Sequence, residues 1–134
     1  FDPTWHQGVV GIVAGRLKEL YHRPTIAFAV AGNGELKGSG RSIPGVHIRD
    51  VLDAVATRHA GLLSRFGGHA MAAGLSLPVA RYEEFAQAFD RAIAADVDPA
   101  LLMQVLYTDG ELAPTDMTLE LARLLTGAAP WGQA

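Results

Sequence analysis

Thr25-Ile26-Ala27-Phe28-Ala29-Val30, then Asn33-Gly34, then Glu35-Leu36-Lys37-Gly38-Ser39 is the stretch that decides the architecture. The first six residues are apolar and short enough to be a buried strand. Asn-Gly is the strongest short hairpin signal, because a type I′ turn needs positive φ at both central positions. The five residues after it return as the partner strand, which requires at least one antiparallel pair.

Helices and strands alternate outward from this hairpin. Residues 8–21 put Val9, Ile12, Val13, Leu17 and Leu20 at helical spacing, with Arg16, Lys18 and Glu19 outside. Pro24 ends that helix, since the residue before proline is pushed out of the helical region. Beyond the hairpin, residues 47–60 read as a helix with Ile48, Val51, Leu52 and Val55 on one stripe and Gly61 as its C-terminal cap. Met71 to Leu77 reads as a strand stopped by Pro78. Residues 81–95 form an amphipathic helix on Tyr82, Phe85, Ala86, Phe89 and Ile93. Asp98-Pro99 starts a helical turn, Val105–Thr108 is strand-like, Thr118 caps a last helix over Leu119–Leu125, and Gly127–Ala134 reads as a linker. The expected class is α/β: one domain with a mixed central β-sheet flanked by helices.

Bulk properties narrow the partners. The 134 residues suffice for one core, and with 49% hydrophobic and 19% charged residues a packed globule is expected. The absence of cysteine excludes disulfides, thiolate catalysis and cysteine-ligated zinc, and suits a reducing compartment. No apolar run approaches the roughly 18–20 residues that cross a bilayer, and residues 1–5 carry no secretory signal. A cytoplasmic chain without membrane contact is the expectation. Phe1 in place of methionine predicts a piece of a larger chain. The net charge of −3 is unevenly spread: residues 1–70 hold 8 Lys and Arg against 5 Asp and Glu, residues 71–134 hold 3 against 9. That division fits a local anion site, not a broad basic track.

Three segments could grip an anion. Gly38-Ser39-Gly40-Arg41-Ser42 closes the second strand. Its glycines let backbone amides come close, Ser39 and Ser42 can donate hydrogen bonds, and Arg41 offers a planar fork for two phosphate oxygens. Gly67-Gly68-His69 forms a second glycine-rich loop that can set an imidazole beside a phosphate. Trp5-His6-Gln7-Gly8 stands before the first helix, where His6 and free helix amides could face an anion. Each has a plain structural alternative: a solvated turn, a helix-ending Gly-Gly, and a tryptophan plug in the core. His22, His47 and His59 lack the spacing of a helical metal pair, no carboxylate pair suited to hydrolysis stands out, and no serine sits in a nucleophile elbow. No metal or other cofactor is expected on this chain alone.

The order of the segments is more specific than any one of them. Trp5-His6-x-Gly8-Val9-x-Gly11-Ile12-Val13-Ala14-Gly15-Arg16-Leu17, Arg23-Pro24, Gly38-Ser39-Gly40-Arg41-Ser42-Ile43 and Gly67-Gly68-His69-x-x-Ala72-Ala73-Gly74 together resemble the RecJ-like single-strand-specific exonucleases, in their DHH-associated domain. The resemblance runs to about residue 96. Asp109-Gly110-Glu111-Leu112 and Pro130-Trp131-Gly132 are similar to the segment leading toward that family's OB-fold. Val46, Trp131 and Ala134 depart from its usual residues at packing positions. The resemblance implies residues 1–96 as a phosphate-binding domain and 97–134 as an extension toward an OB-fold. It implies 5′-to-3′ degradation of single-stranded DNA by two Mn²⁺ or Mg²⁺ ions held on a preceding DHH domain whose signature is absent here. By motif, Ser39, Arg41 and Ser42 would bind backbone or terminal phosphate, Gly40, Gly67 and Gly68 would join them in binding the substrate, His69 would approach the scissile or adjacent phosphate, and His6 and Arg16 are weaker carry-overs. A small-nucleotide phosphodiesterase or phosphatase built on the same domain pair, and a partner-docking domain with no ligand, are the alternatives.

Overall fold

The structure is a computed structural model and describes residues 1–129. Pro130-Trp131-Gly132 and Ala134 lie outside the described residues. The chain divides into two compact units, the first reaching Gln104 and the second starting at Val105. In the first, α1 (Val10–Tyr21) precedes β1 (Thr25–Val30) and β2 (Glu35–Arg41). Then come α2 (Ile48–Arg58), β3 (Arg65–Gly68), β4 (Ala72–Pro78) and α3 (Tyr82–Asp96). The 3-10 turn Pro99–Leu102, whose Leu101 reaches Gly45, belongs to this unit.

The α/β class is as expected, and the four strands form one sheet in the order β1-β2-β4-β3. Every pair in it is antiparallel, where the alternation of helices and strands predicts a mixed sheet. The place of β4 is the reason. β2 and β3, joined through α2, run in the same direction, but β4 lies between them and opposes both. The β1–β2 hairpin turns where Asn-Gly predicts, with Gly32, Asn33 and Gly34 all at positive φ and Val30 opposite Leu36.

The two faces of the sheet are covered unequally. On one, Phe28, Leu36, Leu75 and Leu77 meet Ile48, Leu52 and Val55 of α2 and Phe85, Ala88 and Ala92 of α3 in the main core. Phe28 packs edge-on against Phe85 and Tyr82. The stripe expected on α2 is the one buried. Arg81 donates twice to Glu84 at 2.7 and 2.8 Å and once to the carbonyl of Gly61; its guanidinium holds the Glu84 carboxyl below its ordinary value of 4.5.

On the other face α1 packs over β1 and β2, but only part of the stripe its periodicity favours takes part. Val10 and Ala14 are buried against Ala27 and Ala29, with Trp5 and Val13 alongside. Ile12 and Leu20 are each 68% exposed, and Val9 is exposed too. Small residues let helix and strand approach closely, and a pattern weighted toward Ile and Leu misses such a face. The second unit carries α4 (Leu119–Ala128), capped by Thr118 Oγ1, which accepts from the amide of Leu121 at 3.1 Å. Val105–Thr108, expected as a strand, forms none: the segment pairs with no strand, and Tyr107 is 90% exposed.

Candidate nucleic-acid phosphate site

Strand alternation assigns the site residues to faces before any side chain is considered. Along β2, Leu36, Gly38 and Gly40 face the main core, so Lys37, Ser39 and Arg41 face the α1 side. On β4 the core takes Ala73, Leu75 and Leu77, leaving Ala72, Gly74 and Ser76 for the α1 side. On β3 Phe66 packs on the core and Arg65 and Gly67 point the other way. The register stacks these into rows across the sheet: Arg41 beside Ala72, Ser39–Gly74–Gly67, and Lys37–Ser76–Arg65.

The stretches suggested as glycine-rich loops are therefore strand, and their glycines have different reasons. A Cβ at Gly38 would lie 2.5 Å from Phe28 Cε1 and 2.7 Å from Leu75 Cδ2; one at Gly40 would lie 2.7 Å from Ile48 Cδ1. Both make room for core side chains that reach across the strand. Gly68 has φ +146°, and a Cβ there would meet Ala72 O at 2.4 Å and Ala73 Cα at 2.5 Å. Close approach of β3 to β4 and a left-handed φ both demand glycine there.

Arg41 is half-buried and fixed by its own strand. Its Nη1 donates to Ser39 Oγ at 2.9 Å and to the Gly40 carbonyl at 2.8 Å. Gly11 of α1 completes the seat, since a Cβ there would stand 3.0 Å from Arg41 Nη2 and 3.3 Å from Ser39 Oγ. Among the described residues no carboxylate pairs with this guanidinium, so its charge is held in place without being neutralised. Ser39 Oγ accepts from Arg41 and keeps its own O–H to donate.

His69 is exposed, and its backbone amide donates to the Ala72 carbonyl at 2.8 Å. Arg41 is the register partner of that same Ala72 on its other side. The two residues thus come to one end of the sheet, two strand spacings or roughly 10 Å apart at the backbone. They border an open surface. The pocket on this face, about 280 Å³, lies further along, lined by Lys37, Gly38, Arg65, Phe66, Gly74, Leu75 and Ser76.

Three predicted residues fall elsewhere. Ser42 is 1% exposed and its Oγ donates to the Val46 carbonyl at 2.6 Å, so its hydroxyl closes a core turn and faces no ligand surface. Residue 42 is the first past β2, where the chain turns inward to Ile43. Arg16 is exposed on α1 and paired with Glu19 at 3.3 Å. His6 Nδ1 accepts from the Gly8 amide at 3.0 Å, bracing the turn before α1 and leaving Nε2–H as a donor to solvent.

A family model described as the DHHA1 domain matches residues 1–95. This chain belongs to that family. As a DHHA1 domain it is similar along its whole length to curated relatives named single-stranded-DNA-specific exonuclease RecJ. It is 54% identical over 133 residues to that of Escherichia coli (strain K12) and 56% over 134 residues to that of Dickeya dadantii (strain 3937). It covers 99% and 100% of itself in these matches but only 23% of each relative. A solved structure of RecJ from Thermus thermophilus in complex with Mn²⁺ superposes with a TM-score of 0.67 at 33% identity, over 98% of this chain and 18% of that one. A manganese-bound exonuclease RecJ gives 0.59 at 37% identity, over 74% and 23%.

The ions in those structures raise the question of what this DHHA1 chain could hold. Among the described residues no three His, Asp or Glu side chains stand together as a donor set. No step is assigned to a metal on this chain. No helix among the described residues is long and apolar enough to cross a membrane. Sequence reasoning did not single out Lys37, Arg65 or Ser76, which share this face, and quoted Gly11 and Gly74 only as part of the resemblance. The i, i+2, i+4 spacing of Lys37, Ser39 and Arg41 signals a shared face, but only the register brings Arg65 and Ser76 beside them.

Proposed function

We propose that this chain is the strand-gripping part of a RecJ-type 5′-to-3′ single-stranded-DNA exonuclease, acting in the cytoplasm. Arg41 carries the proposal: an unneutralised guanidinium, seated by Ser39, Gly40 and Gly11, at the sheet end that also bears His69. Ser39 and Arg41 hold a backbone phosphate. His69, exposed just past Gly68, approaches the scissile or adjacent phosphate. His6 and Arg16 serve at most at the margin, and Ser42 serves the core. Phosphodiester cleavage by two metal ions needs ligands to activate water and stabilise the leaving oxygen. Those belong to a DHH domain expected ahead of residues 1–96, with Mn²⁺ or Mg²⁺ as its ions; residues 97–134 lead toward an OB-fold domain.

An open face longer than one nucleotide favours a strand over the small-nucleotide phosphodiesterase or phosphatase alternative. Fluorescence anisotropy on a labelled single-stranded 12-mer tests the proposal. Two or three phosphate contacts predict a salt slope of about −1.4 to −2.1, at roughly −0.7 per phosphate. Arg41→Ala should cost about 1.5–3 kcal/mol whatever the base sequence, as a lost charge-assisted contact does. With Mn²⁺ present the isolated chain should leave the oligonucleotide intact. Competition by a mononucleotide as strong as by the 12-mer would favour the alternative, and unchanged binding by Arg41→Ala would end the proposal.

A further inference from the structure

Two glycines on the open face have no reason to be glycine within the chain. Gly67 and Gly74 are direct register partners between β3 and β4, and a Cβ on either would meet nothing within 4 Å. Neither has the positive φ of Gly68. Glycine inside a strand weakens it, and where packing and φ do not explain it the usual reason is close approach of a ligand or another backbone. The pair leaves a bare floor between two rows that carry positive charge.

The nearer row is Arg41 beside Ala72. The farther one is Lys37–Ser76–Arg65, in which Ser76 is the register partner of both cations, so all three side chains share the face. Lys37 and Arg65 are exposed, and among the described residues neither is paired with a carboxylate. A pocket of about 280 Å³ opens between them, with Gly74 and Ser76 in its lining. Beyond it Glu35 stands opposite Pro78, which closes the positive track. The rows are four residues apart, or about 13–14 Å along the strands, more than a single nucleotide needs.

We propose that Lys37, Ser76 and Arg65 form a second phosphate-binding row, so that a single strand of DNA lies lengthwise over β4, its backbone passing close above Gly67 and Gly74. This rests on Arg41 and His69 binding the same strand at the other end. Lys37 and Arg65 neutralise one phosphate from either side while Ser76 donates its hydroxyl. Arg41 accounts for a short ligand; the second row makes affinity grow with length.

The test uses the 134-residue chain with oligothymidylates of two and eight nucleotides, followed by amide shifts of residues 37–41 and 65–69 and by anisotropy over a salt series. The double variant Lys37→Ala, Arg65→Ala should bind the octamer about tenfold more weakly, with a salt slope shallower by about 0.7, and the dinucleotide unchanged. Gly74→Val should keep or raise the unfolding temperature, because the space is empty, yet lose octamer affinity by a similar factor. Removing the same charge from the helical layer with Arg58→Ala, Arg91→Ala should not reproduce the length-dependent loss. If the Lys37, Arg65 variant binds the octamer like the unmodified chain while Arg41→Ala does not, the second row is overturned and the role of Arg41 stands. If Arg41→Ala is also without effect, or the unmodified chain binds neither oligonucleotide, both fall together. An equal loss in the helical-layer control would likewise overturn the second row.

Discussion

Gly67 and Gly68 are neighbours in sequence and opposites in structure, which makes Gly68→Ala a sharp test of the β3–β4 geometry. An alanine Cβ at residue 68 would stand 2.4 Å from Ala72 O and 2.5 Å from Ala73 Cα, at φ +146°. The chain has two ways to respond. Keeping the pairing means accepting backbone strain of about 1–3 kcal/mol, plus overpacking of about 1–3 kcal/mol. Peeling the end of β3 gives up the bond from the His69 amide to Ala72 O and, by the alternation of an antiparallel ladder, one between Gly67 and Gly74, at about 0.5–1.5 kcal/mol each. Peeling is cheaper, so the net loss is about 1–3 kcal/mol, or roughly 5–15 °C in unfolding temperature for a unit of this size. Gly67→Ala, with open space around its Cβ, should change stability by less than about 0.5 kcal/mol. Thermal unfolding by circular dichroism compares the two, and hydrogen exchange at the His69 amide should quicken only in Gly68→Ala. Equal stability of the two variants, with that amide equally protected, would refute the close approach of β3 to β4.

Gly38→Ala should destabilise by about 1–3 kcal/mol in urea unfolding although alanine is no worse a strand former, because its Cβ would collide with Phe28 and Leu75. Ser42→Ala leaves the buried Val46 carbonyl without its donor and should cost about 1–3 kcal/mol, with single-stranded-DNA affinity of the folded protein unchanged in anisotropy. Glu84 has its pKa lowered by hydrogen bonds from Arg81, so its contribution is present above pH 4.5 and lost as pH falls through the lower folded value. The stability gap between the unmodified chain and Glu84→Gln should therefore hold above pH 4.5 and shrink as pH falls below it in thermal melts.

Where one face of an element is made of large side chains, its place could be read from sequence. The α2 stripe of Ile48, Val51, Leu52 and Val55 and the Asn33-Gly34 hairpin lie where spacing and turn chemistry put them. The phase of α1 was not legible, because its buried face is Val10 and Ala14 against alanines while Ile12 and Leu20 point outward. β3 was hidden for a related reason: Arg65-Phe66-Gly67-Gly68 has the composition of a loop and is a strand only because β4 pairs with it. At the candidate site, Arg41 and His69 could be named from motif, but Gly11, Arg65 and Ser76 join them through tertiary pairing that no local pattern encodes. Ser42 shows the converse, a polar residue in a suggestive motif whose hydroxyl is spent inside the fold.

The position of β4 also governs how the molecule can be made. It is the last strand of the sheet to leave the ribosome, yet it occupies the middle, with Arg41 and Ala72 partnered across the whole of α2 and β3. Local contacts can close the first hairpin and α2 early, and β3 finds its neighbour across a short turn once β4 arrives, but pairing β4 with β2 must close the long loop over residues 42–71. A chain halted before residue 72 would keep β2 as an unpaired edge with the apolar side of Leu36 uncovered, so synthesis passes through a sticky interval that ends only when the central strand slides home.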